Sequence, residues 1–328
     1  MIASKIRRGA AALALVLAAA SAGGQAQAET RVTLKSAAST SSYYVMMVQL
    51  GELLRESSNG EIQATVEESQ GSVQNVKEAA RRPGNFVFTT PPSLLASARA
   101  GKAPFEGESG YDRVRTLFVM PFITVQLVVG ADSGITDVTQ LAGKTFIPGG
   151  TGTFCERRTQ TILKLLGVAD KVEMADVELN NAAAAMRNDR VAGFATCSSH
   201  PTPTLVELAT TMPVHILSFT EAQRDKLIAE DPQSGPITIA PGTYKGQDAP
   251  VQTVGVPVGA FTTTDMDDDT AYTIVKTFWE QKKSLEKESP WWAGVTPDLI
   301  AQMGTKLHPG AARYYKEAGV AVPEALLP

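Results

Sequence analysis

From residue 32 onward, short apolar runs suited to strands alternate with longer stretches in which apolar residues return every three or four positions. Val32 to Lys35 is the first strand-like run, and Ser36 to Ser42 follows as a small polar loop. The spacing then predicts an amphipathic helix over Tyr43 to Ser57 with Met46, Leu50, Leu53 and Leu54 as its buried stripe. Ile62 to Val66 predicts a second strand, Glu67 to Ser72 its turn, and Val73, Val76 and Ala80 the start of a helix. Phe86 to Thr89 is a third strand, with Pro91-Pro92 opening a helix over Ser93 to Ala100. Arg113 to Gly130 is strand-like with Pro121 in its middle, which fits a crossover into a second lobe.

The second lobe repeats the pattern. Lys144 to Ile147 predicts a strand that Pro148-Gly149-Gly150 breaks, and Thr159, Ile162, Leu163 and Leu166 then recur at helical spacing, with Thr151 or Thr153 as cap. A strand is expected at Val172 to Val177, a helix at Ala182 to Asn188, and a strand from Val191 ending in Thr196-Cys197-Ser198-Ser199-His200-Pro201. Helices at Thr204 to Thr210 and Ala222 to Glu230 precede a loop-rich segment, Pro232 to Gln247. The β-branched run Gln252 to Val258 carries the chain back, and Asp265 to Asp269 caps a helix over Thr270 to Glu288. Two final helices are expected at Pro297 to Met303 and Pro309 to Ala318. Such alternation predicts an α/β protein whose ligands sit beyond the carboxyl ends of parallel strands.

One turn has a chemical bias. A strand, a glycine turn and a helix start over Gly150, Thr151, Gly152 and Thr153 point unpaired N–H groups and the positive end of a helix dipole at one spot. That favours a carboxylate or phosphate, while the missing Gly-Lys-Ser/Thr and three-glycine spacing argue against a nucleotide. From these residues alone, a plain turn without ligand is equally open.

The 328 residues carry a formal charge of −4, which argues against nucleic acid and against an anionic membrane surface as partners. Lys5, Arg7 and Arg8, an apolar run from Ala10 to Ala20 and Ala26-Gln27-Ala28 predict a signal peptide over residues 1–28, cut near Ala28, and hence a soluble periplasmic protein. The most apolar later stretch, Leu117 to Ala131, is broken by Pro121, Thr124 and Gln126 and suits buried strands better than a membrane span. His200, His215 and His308 are far apart, so no metal site is expected, and nothing calls for a cofactor. Cys155 falls in the first turn of the helix after the Gly149-Gly150 turn and Cys197 at a strand end, so a disulfide and two free thiols both remain open.

The run Leu307-His308-Pro309-Gly310-Ala311-Ala312-Arg313-Tyr314-Tyr315-Lys316-Glu317-Ala318-Gly319 resembles the closing helix of the TAXI-type solute-binding proteins of TRAP transporters. Further resemblances follow in order: Ser42-Tyr43-Tyr44 to the first binding loop, and Gln70-Gly71-Ser72-Val73-Gln74-Asn75 to the second. Asp137 to Lys144 is similar to the approach to the second lobe, Gly150 to Thr153 to the anion turn, and Ser199-His200-Pro201 to the last loop. The first loop, Ala37 to Ser41, is poorer in glycine than the family's, Glu68-Ser69-Gln70-Gly71 replaces its Thr-Gly-Gly, and Phe86 to Pro92 replaces a polar stretch.

The resemblance implies a type II periplasmic binding fold: two doubly wound α/β lobes joined by a two-strand hinge, closing on a ligand. It implies docking onto a TRAP permease and, as ligand, a small carboxylate such as glutamate, glutamine or an organic acid. Residues 29–120 with 255–328 are expected to form lobe 1 and residues 121–254 lobe 2. The expected ligand contacts are Ser42, Tyr43, Tyr44, Gln70, Gly71, Ser72, Asn75, Thr89, Gly150, Thr151, Gly152, Thr153, Ser198, Ser199 and His200. The expected molecule is a monomeric receptor and not an enzyme. One alternative is a ligand-binding adaptor for a sensor kinase. Another is a transferase with Cys155 as nucleophile at a helix N-terminus, which a disulfide to Cys197 would end.

Overall fold

The computed structural model describes residues 29–231 and 233–328; the expected signal peptide lies outside them. The first lobe opens with β1 (Thr30–Lys35), α1 (Ser42–Ser57), β2 (Ile62–Glu67), α2 (Ser72–Ala79), β3 (Phe86–Thr90) and α3 (Pro92–Arg99). β1 pairs in parallel with β2 on one side and β3 on the other. The long strand β4 (Val114–Gly130) then leaves this lobe for the next.

The second lobe contains β5 (Thr145–Ile147), α4 (Phe154–Leu165), β6 (Glu173–Met174), α5 (Ala182–Arg187), β7 (Gly193–Ser198) and α6 (Pro203–Thr211). It continues with β8 (Val214–Ile216), α7 (Glu221–Glu230) and β9 (Gly235–Ile239). The chain returns along β10 (Val251–Thr263) to α8 (Asp268–Glu288) and α9 (Pro309–Glu317). The strand order is β2-β1-β3-β10-β4-β7-β5-β6, with β8 on β4 and β9 on β10.

β4 and β10 are the two crossing strands. Near their shared middle the register slips between Val256 and Val258, opposite Ile123 and Met120, so Pro257 and Pro121 both fall where ladder hydrogen bonds are interrupted. A proline is tolerated there because the ladder asks nothing of its missing N–H. Beyond Thr124, β4 pairs with β7 and β8, while the start of β10 pairs with β9.

The apolar core divides at the same place. One cluster draws on residues between Val32 and Ile123 and between Val256 and Tyr315. The other two lie between Val125 and Val254. The expected stripe of α1 is buried at Met46, Leu50 and Leu54, with Leu53 half-buried and Met47 taking part as well.

The closing motif packs on the first lobe. Thr116 forms a bridge to Leu307, and the Tyr315 hydroxyl donates to the carbonyl of Leu117. The buried His308 is the N-cap of α9: its Nδ1 accepts from the N–H of Gly310, so Nε2 carries the proton and donates to Met266 O at 3.0 Å. A Cβ at Gly310 would stand 2.1 Å from the carbonyl oxygen of Asp268, so only glycine lets α9 approach α8 this closely.

Three expectations differ. The strand expected at Val172 to Val177 is two residues long, Glu173–Met174, and the following residues turn toward the cleft. The loop-rich segment contains β9, whose Pro236 lies on an edge strand. The segment Pro297–Met303 is a 3₁₀ helix.

Candidate functional site

The carboxyl ends of β1, β2, β3, β5 and β7 and the residues after β6 converge on one cavity of about 320 Å³. Tyr43, Gln70, Gly71, Ser72, Thr89 and Thr153 line it, as does Ser198. These are the expected contacts that the fold brings together. Ser42, Tyr44, Asn75, Gly150, Thr151, Gly152, Ser199 and His200 are not on its wall.

Each of those eight has another setting. Asn75 is fully buried and donates to the carbonyls of Ser36, at 2.7 Å, and Thr89, at 3.0 Å, tying the ends of β1 and β3 to α2. Ser42 Oγ lies 2.5 Å from Ser198 Oγ and 3.0 Å from the carbonyl of Ser199, joining α1 of one lobe to β7 of the other. Tyr44 is half-buried off the wall, while its neighbour Tyr43 is sunk in the core. His200 pairs through Nδ1 with Thr124 Oγ1 at 2.8 Å, and burial lowers its pKa. Ser199 Oγ donates to Phe122 O at 2.7 Å.

The anion turn is partly occupied by the chain itself. Thr153 caps α4 by accepting from the N–H of Glu156, and the Glu156 carboxylate reaches back to the N–H of Gly152 at 2.6 Å. The signal was present in the sequence: Thr153-Phe154-Cys155-Glu156 has capping-box spacing, here satisfied one residue early. Thr151 is exposed and bonds Asp176, whereas Gly150 is buried beneath Leu179.

Cys155 and Cys197 are joined in a disulfide, with Cα atoms 5.3 Å apart, and both line the cavity. They meet because β5 and β7 are parallel neighbours, so the helix after β5 starts beside the end of β7. Gly149 lies against this bridge at φ +121°, where any Cβ would meet Cys155. With its sulfur bonded, Cys155 is no nucleophile, and the transferase alternative falls in this oxidised form.

Other wall residues lay outside the expected set. Ser36, Ala37, Glu68, Ser69, Leu179 and Thr196 line the cavity. Glu68 and Glu178 are the only charged side chains among the described residues on the wall; both are exposed, and the hydrogen bond from Ser39 holds the Glu68 carboxyl below its ordinary pKa. Among the described residues no group of three or more histidine, cysteine, aspartate or glutamate side chains is placed to hold a metal, and no helix is long and apolar enough to cross a membrane.

The lobes touch around the cavity. Thr40 Oγ1 donates to Asn180 Oδ1 at 2.7 Å, Thr204 Oγ1 to Thr40 O at 2.9 Å, and Trp291 Nε1 to Pro201 O at 3.0 Å.

Solved structures share this fold. The periplasmic binding protein BugD is 15% identical, covering 89% of this chain and 98% of its own, with a TM-score of 0.57. MatC of Rhodopseudomonas palustris, solved with bound malate, is 12% identical over 88% of this chain and 97% of its own, with a TM-score of 0.58. The fold is therefore the two-lobed fold of the periplasmic binding proteins. The model of the NMT1-like family matches residues 34–319, nearly the whole described chain, and the protein belongs to that family.

Proposed function

We propose that this protein is a periplasmic receptor, not an enzyme, that captures a small carboxylate between its lobes and hands it to a membrane permease of the TRAP type. The observation that carries the reading is the cavity itself: about 320 Å³, walled by loops from both lobes and spanned by cross-lobe hydrogen bonds. That volume suits an amino acid or organic acid, and a cleft between two lobes is where such ligands are taken up. Tyr43, Gln70, Ser72, Thr89 and Ser198 are the proposed ligand-side residues. Residues 29–120 with 255–328 and residues 121–254 are the proposed moving units, and ligand contacts available only in the closed form would drive closure.

The fold shared with MatC, whose structure holds malate, and the resemblance of the closing motif to TAXI-type proteins support this reading. Native mass spectrometry of the purified exported protein, followed by denaturing extraction, tests it. A released amino acid or organic acid is the expected result. An empty protein with no thermal shift on a panel of amino acids and organic acids would overturn it.

A further inference from the structure

Helices α1, α2 and α4 start at the cavity wall. The N-terminus of α1 is closed by Ser41 Oγ and Ser198 Oγ, which accept from the N–H groups of Tyr43 and Ser42, while those of α2 and α4 face the cavity from opposite lobes and differ in how the chain already satisfies them. At α4, Thr153 Oγ1 accepts from the N–H of Glu156, and the Glu156 carboxylate takes the N–H of Gly152, which sets a negative charge against the dipole. At α2 the N-cap is Gly71, with no side-chain cap, and the first N–H groups of the helix have no partner within it; the reach-back to the N–H of Gln70 comes from Gln74, a neutral amide, so no charge opposes an anion there. Gly71, Ser72 and Gln74 line the cavity there.

A second observation marks the same end. Ser36 is 1% exposed and lines the cavity, yet its hydroxyl finds no hydrogen-bond partner among the described residues. It is held beside α2, because its carbonyl accepts from both Asn75 Nδ2 and Ser69 Oγ, and Ser69 Oγ accepts from the N–H of Gly71. A buried hydroxyl left unpaired is costly, and a ligand acceptor would relieve it after a turn about χ1.

We propose that the ligand's carboxylate sits on the N-terminus of α2 with Ser36 as side-chain donor, and that the α4 turn is not its seat. The inference rests on the receptor reading above and narrows it. Among the described residues no lysine or arginine is on the wall and the only charges there are Glu68 and Glu178, so one negative charge is accommodated by the dipole and hydroxyls while a second meets acidic surroundings. The site therefore favours a monoanionic or zwitterionic acid over a dianion.

The test is calorimetry with L-glutamine, L-glutamate and L-malate on the wild type and on Ser36→Ala, Ser72→Asp and Thr153→Asp. Aspartate suits both substituted positions, N1 of α2 and the N-cap of α4, so each variant should fold, and circular dichroism checks this. Expected is binding of L-glutamine in preference to L-malate, with Ser72→Asp weakening it at least tenfold, Ser36→Ala by about threefold to tenfold, and Thr153→Asp by less than threefold. If a probe binds and Thr153→Asp loses tenfold or more, or Ser72→Asp changes nothing, the receptor stands and this inference falls. If L-malate binds tighter than L-glutamine, the charge argument is overturned. If no acid binds the wild type, both this inference and the carboxylate reading fall together.

Discussion

The phenol of Tyr43 donates to the carbonyl of Pro121 at 2.5 Å, which places an α1 side chain on the point where β4 crosses between lobes. Pro121 O is free because the β4–β10 ladder slips there. Ser199 does the same for the next carbonyl, Phe122 O, from the second lobe. Burial of Tyr43 raises its pKa far above the ordinary range, so the group is a permanent donor. Tyr43→Phe should leave the carbonyl of Pro121 short of a partner and cost about 1–3 kcal/mol of stability. Urea denaturation checks this, and an unchanged midpoint would show that the ladder slip needs no cap.

The disulfide ties the start of α4 to the end of β7 across a sequence separation of 42 residues. In the chain-entropy account a loop of that length restricts the unfolded chain by about 4 kcal/mol. Cys155→Ser with Cys197→Ser should therefore lower stability by about 2–4 kcal/mol, and reductant should lower the melting temperature of the wild type but not of the double variant. A wild type shown by mass to be reduced yet melting at the same temperature would refute it.

The sequence conveyed the lobes well because their signals are local. Strand and helix alternate by period, and the glycine turns at strand ends mark the cavity edge. β8 and β9 were not legible. Val214–Ile216 has three residues and β9 carries Pro236, so each is a strand only through its partner, β4 or β10. The choice between Tyr43 and Tyr44 depends on which side of α1 faces the crossing strands, and periodicity at the first turn of a helix does not settle that. Ser36 reads only as loop in the sequence, because the burial of its hydroxyl is produced by α2 and Ser69, contacts of tertiary origin. The occupied α4 turn was legible in principle, from the spacing of Thr153 and Glu156.

The contact between α9 and α8 admits no side chain at Gly310. A methyl group there would lie 2.1 Å from Asp268 O and 2.7 Å from the N–H nitrogen of Tyr272, both backbone atoms that cannot swing aside. Gly310→Ala should cost about 1–3 kcal/mol or more by forcing the helices apart. Ala312, half-buried on the same helix, provides a control, since Ala312→Gly should cost only about 1 kcal/mol through helix propensity. Equal losses in the two variants, measured by thermal denaturation, would remove the close-approach argument.

His308 makes the stability of the first lobe depend on pH. Burial lowers its pKa from the ordinary value of 6.5, outweighing the Met266 carbonyl and Asp268, which raise it, while Arg115 lowers it further and Asp267 raises it. His200 is lowered by burial as well. For such groups the unfolded chain takes the proton first, so stability is full above pH 6.5 and falls as the pH drops through that value toward the folded-state pKa. At His308 the cause is specific: a proton on Nδ1 would oppose the Gly310 N–H that it now accepts, and the cap of α9 would be lost. The melting temperature should therefore fall between pH 7.5 and pH 5.5. His308→Asn keeps a capping acceptor without the titration and should flatten that slope, leaving the part due to His200. A variant whose slope matches the wild type would place the pH dependence elsewhere.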